Sequence, residues 1–112
     1  MTITIPMRIV SEANLREHWA KKARRVKQQR ALVAIMLPKT DLPPLPVTVT
    51  MTRTAPRKLD GDNLQRAFKA TRDEVAKQLG ADDADPRIDW RYAQERGGVK
   101  EYACRIDIEG RA

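Results

Sequence analysis

Cysteine, histidine, aromatic rings and acidic charge are all scarce in this 112-residue chain, and each shortage excludes something. Cys104 is the only cysteine, so no intramolecular disulfide can form, which fits a reducing compartment. It reads as a small strand residue rather than a nucleophile. His18 is the only histidine and has no visible ligand partner, which argues against zinc and leaves it a structural role. No apolar run approaches the roughly 20 residues that span a bilayer. The start, "MTITIPMRIV", lacks the basic-then-apolar form of a signal peptide. The expectation is a cytoplasmic protein with no membrane partner. Aromatic residues make up 4% of the chain, so Trp19, Phe68, Trp90 and Tyr92 are expected to be core or interface anchors. Acidic residues number 15 against 22 lysines and arginines, a net charge of +7. A small domain with that excess meets a polyanion, most commonly nucleic acid. No helix-turn-helix spacing, zinc-finger pattern or RNA-binding aromatic motif is visible, which weighs against a sequence-specific binder.

What is present suits one domain spanning 1–112, with 41% apolar residues and length for a single core. "MTITIPMRIV" alternates and is β-branched, a first strand interrupted by Pro6. Ser11 or Asn14 can cap the helix that follows. Leu15, Trp19, Ala23, Val26, Val33 and Leu37 recur at helical steps and form one apolar stripe up to Pro38. The other faces of this helix carry "KKARRVKQQR", in which Lys21, Lys22, Arg24, Arg25 and Lys27 are candidates for phosphate contact. "PKTDLPPLP", with four prolines in nine residues, is a stiff connector. "VTVTMTRT" alternates strictly and is a strand with one buried face. From Asp62, the residues Leu64, Ala67, Phe68, Thr71, Val75 and Leu79 share one helical face, and Gly80 suits the C′ position. "RIDWRYAQ" and "YACRIDI" alternate on either side of "ERGG" and read as a hairpin. The order β-α-β-α-β-β describes an α+β domain, a small mixed β-sheet with two helices packed on it.

Charge then concentrates in two short acidic loops. "RKLDGDN" places Asp60 and Asp62 at the start of the second helix, where an aspartate caps well and suits the helix dipole. A cap accounts for Asp62, but not for Asp60 as well. Along the helix Asp62, Arg66, Lys69 and Asp73 form one polar stripe opposite the apolar one. "GADDADPRI" adds Asp82, Asp83 and Asp85, each individually suited to a turn. Five carboxylates in two loops of a basic chain repel one another unless a divalent cation sits between them. All-oxygen ligands suit Mg²⁺, with Mn²⁺ as the alternative. Carboxylates around such an ion beside a basic surface are the ingredients of phosphodiester hydrolysis.

"DGDN", a lysine on the following helix, and "LGADD" leading into a strand together resemble the RusA-type Holliday-junction resolvases of phages and prophages. The resemblance covers roughly 59–94 closely and the rest in element order only. It implies a RusA-like fold and a homodimeric, Mg²⁺-dependent endonuclease that nicks branched DNA at four-way junctions. Carried over, Asp60, Asp62 and Asp83 are the metal carboxylates, with Asp82 and Asp73 as further possibilities. Where the family carries lysine, three residues after the asparagine, this chain has Arg66. Lys69 follows one turn later, and either is a candidate for the catalytic cation. Arg57 and Lys58 join the basic helix as DNA-binding residues. A straight helix from Asp62 to Leu79 would hold the two acidic loops about 25 Å apart. The expectation is an early helix end with a return loop; a sharp fold-back or a site shared across a dimer are the other arrangements. Two other readings stand beside this one: a non-enzymatic basic DNA-binding protein of phage origin, and a ribonuclease of similar chemistry.

Overall fold

The computed structural model describes residues 1–11 and 19–111. Alternating sequences become the four strands β1 (Thr2–Ile5), β2 (Val47–Ala55), β3 (Ile88–Arg96) and β4 (Ala103–Gly110) of one sheet. The helices are α1 (Trp19–Met36), α2 (Gly61–Ala67) and α3 (Lys69–Gln78). The proline-rich connector holds one 3-10 turn at Lys39–Asp41. The fold is α+β with a mixed sheet, as the sequence pattern predicts.

The expected hairpin does not form. The sheet order is β1-β4-β2-β3: β3 pairs parallel with β2, and β4 lies antiparallel between β1 and β2. The chain leaving β3 therefore crosses over the end of β2. Gly97 N–H bonds to the Ala55 carbonyl at 2.9 Å, closing β2 from above. A Cβ on Gly97 would come within 2.9 Å of the Glu101 carbonyl oxygen and 3.0 Å of Thr54 Cγ2, so only glycine fits this crossing. Alternation specifies which face a strand buries, and "ERGG" specifies a turn. Neither specifies that β2 will sit between the two strands.

One face of the sheet carries the core. Val47, Val49, Met51, Ile106, Ile108, Cys104 and Ile5 are all buried, and Leu64, Phe68, Val75, Val33 and Leu37 of the helices belong to the same apolar cluster. Cys104 is a small buried strand residue, as expected, and burial pushes its thiol up to about 12. The other face of β2 presents Thr48, Thr50, Thr52 and Thr54, of which only Thr52 is fully buried. This is the half-solvated arrangement open to a sheet with antiparallel strands.

Two further expectations are corrected. The apolar stripe of α1 is buried only in its C-terminal half: Val33 and Leu37 are inside, while Trp19 is 76% exposed and Ala23 is exposed. Trp19 is thus not a core anchor. Leu15, Asn14 and His18 lie outside the described residues. The second helix does not end early. It runs to Gln78 but breaks at Phe68, which takes φ −90° and ψ 1° and so divides α2 from α3. The count is therefore three helices rather than two. Phe68 is fully buried at this break and lies 5.9 Å from the Tyr92 ring.

Candidate active site

The chain enters the site through residues 57–60, which are gripped from both sides. Gln94 on β3 pairs its side-chain amide with Leu59, accepting from Leu59 N–H at 2.9 Å and donating to Leu59 O at 2.7 Å. Arg53 on β2 donates from Nη1 to the Arg57 carbonyl at 2.6 Å. Asp60 then caps α2, with Oδ1 accepting from Asn63 N–H at 3.1 Å. The cap expected of Asp62 thus falls to Asp60. The helix starts earlier, at Gly61, so capping accounts for Asp60, and Asp62 stands exposed in the first turn. There it gains from the helix dipole while its carboxylate faces solvent.

The second acidic loop returns along α3 by a sharp fold-back. Gly80, at φ +76°, takes the left-handed conformation after the helix. Gly80 N–H bonds to Lys77 O at 3.0 Å and Ala81 N–H to Ala76 O at 2.9 Å, a Schellman cap. The loop is then held by Arg72. Its Nη2 donates to the Asp83 carbonyl at 2.9 Å and its Nη1 to the Tyr92 hydroxyl at 2.8 Å. Its guanidinium lies over the Trp90 ring, 4.8 Å from the centroid. Trp90 Nε1 donates to the same Asp83 carbonyl at 3.0 Å. Arg72 Nε stands 3.4 Å from Asp83 Oδ2, near enough for an ion pair but out of line for a hydrogen bond.

This latch brings the Asp83 side chain to the start of α3. Lys69 Nζ lies 2.8 Å from Asp83 Oδ2 and 2.8 Å from Asp73 Oδ1. The hydrogen bonds to Asp73 and then Asp83 raise the Lys69 ammonium above its ordinary range. The bond from Lys69 is also the chief reason that the Asp83 carboxyl is held below its own range. The lysine is therefore a fixed positive charge, not a base. Asp82 and Asp85 serve the turn instead. Asp82 Oδ1 accepts from Ala84 N–H at 3.0 Å. Asp85 accepts from the Arg87 backbone at 2.9 Å and pairs with its guanidinium at 2.8 Å, which pulls its carboxyl down to about 2. Arg66 is exposed on α2.

Of the predicted site residues, the fold joins Lys69, Asp73 and Asp83, and leaves Asp60 and Asp62 together at the start of α2. Among the described residues, no three histidine, cysteine, aspartate or glutamate side chains are grouped closely enough to hold a metal ion. The donor chemistry still suits Mg²⁺. That ion commonly takes one or two carboxylates and completes its octahedron with water and substrate phosphate. Asp60 keeps Oδ2 outside its capping bond, and Asp62 is exposed. Asp83, as it stands, is engaged by Lys69 and Arg72.

The predicted DNA-contacting cations lie at the surface or part-way into it. Lys21, Lys22, Arg24 and Lys27 are exposed on α1 and Arg25 is half-buried there, while Arg57 and Lys58 are exposed ahead of Asp60. No helix among the described residues is long and apolar enough to cross a membrane. Sequence reasoning missed Arg72, Gln94 and Arg53. Arg72 lies on the helix, one turn before the buried Val75, with no motif to mark it. The alternation of "VTVTMTRT" does place Arg53 on the inward face, where an arginine has to find buried acceptors. Compared with known proteins, the chain matches no family model and no curated sequence.

Proposed function

We propose that the protein is a Mg²⁺-dependent, structure-selective endodeoxyribonuclease of the RusA type, which as a homodimer resolves four-way DNA junctions by phosphodiester hydrolysis. The observation that carries this reading is the Lys69–Asp83 contact at 2.8 Å. It returns the second acidic loop to the α2–α3 break, whereas a straight helix would hold its far end about 25 Å from Asp62.

Asp60 and Asp62 would hold the ion, which when bound polarises the scissile phosphate and activates water. The residues of the chain supply the rest. The Asp60 cap fixes the first turn of α2, so both carboxylates sit on a rigid element. Lys69, kept protonated by Asp73 and Asp83, neutralises the charge that builds on the phosphate. Asp73 orients the lysine. A phosphate that takes the place of Asp83 on the Lys69 ammonium frees that carboxylate. Arg57, Lys58, Arg66 and the basic face of α1 contact backbone phosphates, which position DNA without reading its sequence. A four-way junction presents paired, symmetry-related strands, and a two-fold dimer suits it.

A non-enzymatic DNA-binding reading is favoured by one set of contacts: Asp60, Asp82 and Asp85 all have structural work as caps or turn residues. One assay separates the two. Nicking of a synthetic four-way junction, measured against linear duplex with and without Mg²⁺, should require the metal and the branch. The Asp62→Asn protein should bind the junction and not cut it. If Asp60→Asn/Asp62→Asn cuts as fast as the parent, the nuclease reading is wrong.

A further inference from the structure

A cleft of about 450 Å³ opens where β2 and β3 end side by side, lined by Arg53, Arg57, Lys58, Arg96, Gln94 and Glu95 among others. A second hollow of about 300 Å³ shares Arg53 and Arg57 with it and adds Arg8 and Tyr102. Five basic side chains thus line two adjoining hollows that share Arg53 and Arg57. The single carboxylate lining them does not balance this charge. Glu95 points to the opposite face of β3 from Gln94 and Arg96, and it pairs at 2.8 Å with Arg105 on β4. Arg8 rests on the Tyr102 ring, 4.5 Å from its centroid.

Arg53 is the most telling member, since it is only 7% exposed. Its Nε donates to the Ile9 carbonyl at 2.8 Å and its Nη1 to the Arg57 carbonyl at 2.6 Å. Two neutral carbonyls hold it, and no carboxylate pairs with it among the described residues. Burial, followed by the like charge of Arg8, lowers its pKa. A buried guanidinium beside further cations, with no carboxylate pairing it among the described residues, is costly to hold. The fold nonetheless fixes it rigidly, with Nη2 making no hydrogen bond to the described residues. Such an arrangement is what a planar fork for a phosphate requires.

We propose that these adjoining hollows form a phosphate-binding site, in which Arg53 is the pre-oriented floor and Arg57, Arg96 and Arg8 close on the oxygens of a nucleic-acid phosphate. The same chemistry serves an internal phosphodiester or a terminal phosphomonoester. The site stands whether or not the molecule hydrolyses DNA, and its test uses no metal and no cleavage.

The test is a titration of inorganic phosphate into the metal-free, full-length protein, followed by the arginine Nε–H resonances in nitrogen-15 spectra. Ionic strength is held constant with chloride. The Arg53 resonance should shift and saturate with phosphate, and should not shift with chloride alone. Replacing the exposed pair, Arg57→Gln/Arg96→Gln, should weaken saturation at least tenfold while the core resonances stay in place, which shows that the fold is intact. Arg53→Gln is the direct variant, but it also removes two tertiary bonds, so the exposed pair provides the decisive comparison. Short thymidine oligonucleotides with and without a 5′-phosphate then identify the source. Tenfold tighter binding of the phosphorylated form assigns a terminal monoester, and equal binding assigns the diester backbone. A linear, unsaturated drift of Arg53, the same response to chloride, or a phosphate response unchanged by Arg57→Gln/Arg96→Gln overturns the proposal.

Discussion

Lys69 Nζ donates to Asp83 Oδ2 across 2.8 Å, although fourteen positions separate the two residues in the chain. The contact joins the N-terminus of α3 to the loop that follows its C-terminus. In the nuclease reading, both ends matter to the chemistry. Asp83→Asn should lower junction cleavage by about 10²-fold or more, and Lys69→Met by a similar factor, the size expected for removing one electrostatic contributor to a transition state. Junction binding without metal should change little in Asp83→Asn. Single-turnover nicking rates and metal-free gel shifts check both outcomes.

Arg72 holds the acidic loop through its guanidinium plane, so lysine cannot replace it. Arg72→Lys loses the fork that serves Tyr92 and the Asp83 carbonyl together. Both Arg72→Lys and Arg72→Ala should cost about 1–3 kcal/mol in urea unfolding, because the part-buried hydrogen bonds to the Tyr92 hydroxyl and the Asp83 carbonyl are lost together. Amide exchange should quicken around 81–85 before it does in β2.

Gly97→Ala should destabilise the fold by about 1–3 kcal/mol, the usual cost of overpacking. The added methyl meets the Glu101 carbonyl oxygen and the Thr54 side chain at the crossing over β2. Gly98→Ala, where a Cβ meets nothing within 4 Å, should change stability far less. Paired urea melts make the comparison.

Acid should weaken the packing of α1 and α3. Burial would raise the Glu74 carboxyl, but hydrogen bonds from Gln78 and Arg30 outweigh it and hold the group below its ordinary range. Asp83 is lowered as well, chiefly by Lys69. A carboxyl lowered in the folded state binds its proton more readily when the chain unfolds. The stability it contributes is therefore complete above the unfolded carboxyl range, about pH 4, and is lost as pH falls through the folded value. Thermal melts from pH 7 to pH 3 should show that loss, and Glu74→Gln should flatten it.

Cys104 should be silent to thiol reagents. It is fully buried, and its thiol is pushed up to about 12, so almost no thiolate exists at pH 8. A disulfide reagent should label the native protein only at the rate of unfolding, and the denatured protein at once.

Much of this architecture was legible along the chain. The threonine-valine alternation of β2, the apolar face from Leu64 to Val75, the stop at Gly80 and the α+β class all follow from rules that act within a turn or two of helix or along one strand. The two acidic loops and the polar stripe of Asp62, Arg66, Lys69 and Asp73 were legible too, while the choice of Asp83 within its loop and of Lys69 as a candidate catalytic cation came from the family resemblance over 59–94. Tertiary structure decided the rest. β4 pairs with β2 rather than β3 because alternation names a buried face but not a neighbour. The second helix breaks at Phe68, whose buried ring lies beside Tyr92, and helical periodicity does not register that break. Asp83 meets Lys69 because Arg72 and Trp90 share its carbonyl, and partners brought together by a loop leave no spacing in the sequence to read.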